Sequence, residues 1–129
     1  MADRSPAEIA PRLAAALGAG DLDALAELCA PDLCWGPPDD PASGCHRREE
    51  ALAWYRAARD RGRRAEVTEV SVGANAILVG LRVFDLTAGQ RAADGVERFQ
   101  VMAVRDGHIA DIRGFDDRTE AAARAGILV

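Results

Sequence analysis

RFQVMAVRDGHIADIRGFDDR, residues Arg98 to Arg118, reads as two β-strands joined by a tight turn at Arg105-Asp106-Gly107. Asp-Gly between two extended runs is a strong local hairpin signal, because both turn residues must accept positive φ. Two carboxylates, Asp116 and Asp117, close the stretch. Arg118 to Ala125 then reads as a short Ala-rich helix with Gly126 as its C-cap.

Upstream of this hairpin the periodicity changes near Ala65, from helical to extended. Ser5-Pro6 is a helix-start signature, followed by Ile9, Leu13 and Leu17 at spacing four and a stop at Gly18-Ala19-Gly20. Asp21 can cap a second helix carrying Leu22, Leu25 and Leu28, which Pro31-Asp32 ends. Leu33-Cys34-Trp35 reads as a short strand, and residues 36–44, with three prolines, as a loop. A third helix spans about Arg47 to Arg61, with Leu52, Tyr55 and Arg59 on one face and Ala51, Trp54 and Ala58 on the next. Glu66 to Gly73 is a strand. Ala76 to Leu86 is a continuously apolar one, which implies cover on both of its faces. The order is therefore α+β: three helices and one inserted short strand, four meandering strands, then a terminal helix.

At 129 residues this is a single domain spanning residues 1–129, and its 49% hydrophobic and 29% charged content is that of a globular protein. A net charge of −5 argues against nucleic acid as partner. Basic residues cluster at Arg47-Arg48 and from Arg56 to Arg64. On a helix and its exit these read as a solvated face, with an anion-binding patch as the alternative. No apolar run approaches the roughly 20 residues that span a membrane. The first ten residues, with Asp3 and Glu8, lack the apolar core of a secretion signal. Three cysteines, Cys29, Cys34 and Cys45, form no CxxC, and reduced thiols in a cytoplasmic protein are the simplest expectation.

Gly18 to Trp35 (GAGDLDALAELCAPDLCW), the Ser43-Gly44 and RREEALAWYR opening of the third helix, and VMAVRDGHIADIRGFDDR together resemble the SnoaL-like and ketosteroid-isomerase-like members of the nuclear-transport-factor-2-like superfamily. The resemblance implies a cone-shaped barrel, a curved antiparallel sheet with the N-terminal helices packed on its concave face around a deep pocket, commonly as a homodimer through the sheet's outer face. That superfamily holds isomerases, polyketide cyclases, epoxide hydrolases, dehydratases and members without catalysis, so fold alone leaves function open.

Two catalytic patterns of the superfamily are lost. The isomerase pattern needs an Asp base, a Tyr and a second, protonated Asp; the matching positions fall at or near Gly36, Leu13 and Phe99. The epoxide-hydrolase pattern needs Arg-x-Asp where this chain has Leu81 and Val83, and only Asp116 matches its terminal carboxylate. Asp116 shares a face by alternation with Ala110, Ile112 and Gly114, the face assigned to the pocket. A carboxylate at an apolar rim can serve as a general base; equally, Asp116 or Asp117 can cap the terminal helix.

Asp85 and Glu97 are expected on the concave side if Leu81, Val83, Phe99 and Val101 face inward, though Glu97 can instead pair with Arg82 or Arg98. Trp35, Trp54 and Tyr55 can stack on a flat ligand or fill the core. His46 over the pocket mouth, or Tyr55, is the candidate acid. The spacing of Cys34, Cys45 and His46 fits no zinc motif, and no GxGxxG, Walker loop, GxSxG or HExxH occurs, so neither metal nor nucleotide cofactor is expected. The leading expectation is a pocket for a small apolar molecule lined by Trp35, Trp54, Asp85, Glu97, Phe99 and Ile112. Proton-transfer chemistry, if present, would run through Asp116 with His46 or Tyr55. The alternative is a non-catalytic binding or dimerisation module.

Overall fold

The structure is a computed structural model that describes residues 5–36, 47–74 and 76–127. Helices α1 (Pro6–Ala19) and α2 (Leu22–Leu28) lead into strand β1 (Cys29–Gly36), and helix α3 (Arg48–Asp60) precedes strands β2 (Arg63–Val72), β3 (Ala76–Asp85), β4 (Val96–Arg105) and β5 (His108–Phe115). Helix α4 (Arg118–Ala125) closes the described chain. The expected caps form as read. Ser5 accepts from the Glu8 N–H, Asp21 from Ala24 and Asp117 from Thr119, so the first free N–H groups of α1, α2 and α4 are satisfied. Gly126 ends α4 in the left-handed conformation.

The strands lie in the order β1-β5-β4-β3-β2 in one curved sheet that stays open, with β1 and β2 at its edges. β2 to β5 form an antiparallel meander, and β1 joins β5 in parallel. At the β4–β5 turn Asp106 (φ 54) and Gly107 (φ 78) both take positive φ, the backbone that suits a hairpin's right-handed twist.

Two apolar layers sandwich the sheet. On the concave face Ile9 and Leu13 of α1, Leu25 and Leu28 of α2, and Ala51 of α3 pack on Ile77, Val79, Leu81, Met102, Ile109 and Ile112. On the outer face α4 seats Ala121, Ala122 and Ala125 over Leu78, Phe99, Val101 and Phe115. Ile77, Leu78 and Val79 are consecutive and all fully buried, as the unbroken apolar run of β3 requires. Each such side chain contributes about 1.5–3 kcal/mol by leaving water. The expected outer dimer surface is thus covered by α4 over part of its apolar area.

One register feature overturns an expectation. β3 pairs with β4 so that Leu81 faces Arg98, Val83 faces Val96 and Gly80 faces Phe99. Directly opposed residues point the same way, so Val96, Arg98, Gln100 and Met102 share the concave face with Leu81 and Val83. Phe99 and Val101 instead point to the outer face, and with them Glu97. Their apolar character is satisfied under α4 rather than in the pocket. In β5 a shift between Ala103 and Val104 skips Ala110, so that Ile109 and Ile112 both reach the concave core. Strict alternation from Ala110 therefore does not hold, whereas Ile112, Gly114 and Asp116 keep their common side.

Candidate functional site

α3 and the α1–α2 turn stand off the open end of the sheet, and a pocket of about 700 Å³ lies between them and strands β2 to β5. That volume suits a drug-sized ligand. A small inner extension of about 40 Å³ runs below it toward Leu25, Met102 and Ile112, sharing Leu17, Trp35, Tyr55, Leu81 and Gln100 with the main pocket.

Aromatic side chains form one wall. Trp35 on β1 meets Trp54 of α3 edge-on, ring centres 5.1 Å apart at 89°, and Tyr55 lies 6.5 Å away at 35°. Trp54 remains 51% exposed and Val96 53%, so two large apolar groups at the pocket border are only half covered. Opposite lie Leu81 and Val83 of β3 and Gly114 of β5. A Cβ built on Gly114 would meet no heavy atom within 4 Å, so the glycine leaves open space along that wall.

Polar groups fall into two sets. Tyr55 and Gln100 line both the pocket and its inner extension, and the side chain of neither is hydrogen-bonded to any group among the described residues. Around the mouth are Arg59, Arg63, Arg64, Arg98, Asp85 and Asp116. Arg64 donates to the carbonyls of Arg59 (2.7 Å) and Arg63 (2.9 Å), tying the end of α3 to the start of β2. Asp85 accepts from the Thr87 hydroxyl at 2.6 Å and the Thr87 N–H at 2.9 Å, and these bonds hold its carboxyl below the usual range. Asp116 pairs with Arg98 at 3.0 Å.

The residues expected at the site divide accordingly. Trp35, Trp54, Tyr55, Asp85 and Asp116 all border the pocket, and Ile112 floors its inner extension. Asp116, however, is 85% exposed rather than sheltered at an apolar rim. Glu97 is corrected to the outer face, where Arg82 holds it at 3.2 Å across the β3–β4 register. Phe99 touches the pocket border, but its side chain belongs to the cluster under α4. His46, with Cys45, lies outside the described residues. No group of three or more His, Cys, Asp or Glu among the described residues could hold a metal ion. Cys29 is buried, which pushes its thiol up to about 11 despite the nearby Arg48. No described helix is long and apolar enough to cross a membrane.

Gln100 and the arginines of the mouth join the pocket through the fold rather than through any motif. A polar residue between Phe99 and Val101 was the available signal for Gln100. Arg59, Arg63 and Arg64 sat within a charge run that reads first as a solvated face.

A sequence profile of the SnoaL-like domain matches residues 10–112. No protein of curated function matches the chain in sequence. Among solved structures, the chain resembles a proposed polyketide cyclase from Sinorhizobium meliloti, with 25% identity and a TM-score of 0.62 over 81% of this chain and 90% of that one. A cystatin-fold protein from Novosphingobium aromaticivorans superposes with a TM-score of 0.70 at 18% identity, over 86% and 97% of the two chains. A proposed ketosteroid isomerase from Kribbella flavida does so with a TM-score of 0.67 at 17% identity, over 83% and 73%. The last two likenesses speak for the fold alone.

Proposed function

The chain belongs to the SnoaL-like family, and from that premise we propose that it is a small-molecule pocket protein whose ligand is largely apolar and carries a flat ring system. The observation that carries this reading is the inner half of the pocket. Trp35, Tyr55, Leu81 and Val83 offer ring-sized apolar walls, while the Tyr55 hydroxyl and Gln100 carboxamide have no protein partner among the described residues. A site of mostly apolar lining with a few convergent polar groups is what a small ligand needs: area for affinity, hydrogen bonds for orientation. The test is a titration with neutral 2-naphthylmethanol, followed by thermal denaturation and by the emission of Trp35 and Trp54, the chain's two tryptophans. Binding to the native state alone raises the melting temperature. A melting temperature and an emission that stay unchanged up to millimolar ligand refute the reading.

A second reading, proton transfer within the bound molecule, draws on Asp85 and Asp116 bordering the same pocket as Tyr55. Asp116 would act as base and Tyr55 as hydrogen-bond donor or acid, in an isomerisation, cyclisation or dehydration without cofactor. It requires Asp116→Asn to abolish turnover of a ligand that the variant still binds.

A further inference from the structure

Charge at the pocket mouth is unbalanced in the direction opposite to the chain as a whole. The chain carries a net charge of −5. The pocket is bordered by four arginines, Arg59, Arg63, Arg64 and Arg98, against two carboxylates, Asp85 and Asp116. Both carboxylates are engaged, Asp85 by Thr87 and Asp116 by Arg98. Arg64 is spent on main-chain carbonyls. Among the described residues Arg59 and Arg63 form no ion pair at contact distance, although Asp85 stands opposite Arg63 across β2 and β3 and its carboxyl feels that charge. One guanidinium nitrogen of Arg98 meets both Asp116 and, at 3.4 Å, the Glu97 carbonyl. A guanidinium presents five N–H donors in a planar fork, so Arg98 keeps donors for a further acceptor.

We infer that the pocket takes an amphipathic organic anion, an aromatic carboxylate whose ring enters between Trp35, Tyr55 and Leu81 while its carboxylate stays at the mouth between Arg63 and Arg98. This rests on the ligand-pocket reading and narrows the ligand's chemistry. The geometry separates the two halves of such a molecule. Trp35, Tyr55 and Leu81 continue into the inner extension, which no arginine among the described residues lines, whereas all four arginines border the main pocket together with the half-exposed Trp54 and Val96. A single dispersed charge suits the site better than a phosphate dianion. Ala58 and Arg59, in the last turn of α3, border the pocket, and a helix C-terminus carries partial negative charge. Asp116 competes with the ligand for Arg98 in this arrangement, which gives its removal a distinctive sign.

The test compares 2-naphthoate with the neutral 2-naphthylmethanol by quenching of tryptophan emission at low and moderate salt, in the full chain. Naphthoate is expected to bind about tenfold tighter, with a preference that shrinks as salt rises. Arg63→Gln and Arg98→Gln should each reduce naphthoate affinity roughly three- to tenfold and leave the alcohol unaffected. Asp116→Asn should instead tighten naphthoate, by roughly threefold, because it releases Arg98. Circular dichroism on each variant separates loss of binding from loss of fold. Equal affinity for the acid and the alcohol, or a preference that survives the Arg63→Gln/Arg98→Gln pair, overturns the anion inference and leaves the pocket reading standing. Absence of binding by both probes removes the pocket reading and this inference with it.

Discussion

Arg98 and Asp116 meet across the ends of β4 and β5, guanidinium and carboxylate 3.0 Å apart, at the rim of the pocket. The Phe99–Phe115 register brings them opposite one another. Their side chains are 48% and 85% exposed, so the pair is solvated on most sides. The carboxylate on which a proton-transfer mechanism would depend is therefore a partner of a cation in water, and its removal acts first on Arg98.

Because both partners are solvated, the pair adds little to stability. A double-mutant cycle with Arg98→Gln and Asp116→Asn should give a coupling below about 1 kcal/mol in urea denaturation, after allowance for solvent screening. A larger coupling would mean that the rim is less open than the exposures state.

Gly114 separates binding from folding. Its missing side chain faces open pocket space, and glycine inside a strand forgoes packing and backbone entropy. Gly114→Val should keep the melting temperature within about 2 °C of the parent or raise it. The same variant should lower affinity for 2-naphthylmethanol at least about tenfold by filling the wall. A lowered melting temperature with unchanged affinity would place that Cβ among packed atoms instead.

Glu69 joins β2 to α4 on the outer face. It accepts from Arg118 at 2.6 and 2.8 Å and from the Ser71 hydroxyl at 2.6 Å. These bonds, Arg118 foremost, hold its carboxyl at about 2 rather than the ordinary 4.5. A carboxyl depressed in the folded state contributes stability that is complete above its unfolded value. That stability drains away as pH falls toward the folded one. Glu69→Gln should thus cost about 1–2 kcal/mol at pH 7, a figure discounted because Arg118 is 41% exposed. The difference from the parent should narrow steadily from pH 5 to pH 2 in denaturant titrations. A pH-independent difference would assign the loss to packing.

Gly62 makes the connection between α3 and β2. Its φ of 101 is closed to ordinary side chains, and a Cβ there would come within 2.6 Å of the Thr87 methyl. Its carbonyl also accepts from the Leu86 N–H at 2.9 Å, fixing the segment that carries Asp85 and Thr87 at the mouth. Gly62→Ala should destabilise the protein by about 1–3 kcal/mol and weaken pocket binding as well, read by thermal denaturation and fluorescence titration on one sample.

Local signals were legible wherever the physics is local. Ser5, Asp21 and Asp117 cap the helices they precede because a side-chain oxygen needs only an N–H two or three residues on. The terminal helix, its glycine cap and the Asp106-Gly107 turn follow from steric limits on single residues. Trp35, Trp54 and Tyr55 were legible as large aromatics for either a ligand wall or the core, and only the packing of α3 against β1 brings them together.

The inward side of β4 was not. Phe99 and Val101 are the most apolar residues near its centre and invite assignment to the pocket. A sheet covered on both faces, by α1 to α3 and by α4, buries apolar residues on either side and so removes that cue. The same loss of cue hides the inward side of Gln100 and the outward side of Glu97.

The residues by themselves determined the order of helices and strands, their caps and turns, and the likeness to the SnoaL-like family, because each depends on neighbours close in the chain or on a pattern spread along it. The tertiary structure alone decided which face of each strand looks into the pocket and which charges meet there. Strand phase reverses with a single bulge or register step. Arg98 also acquires its partner only when β5 is laid beside β4.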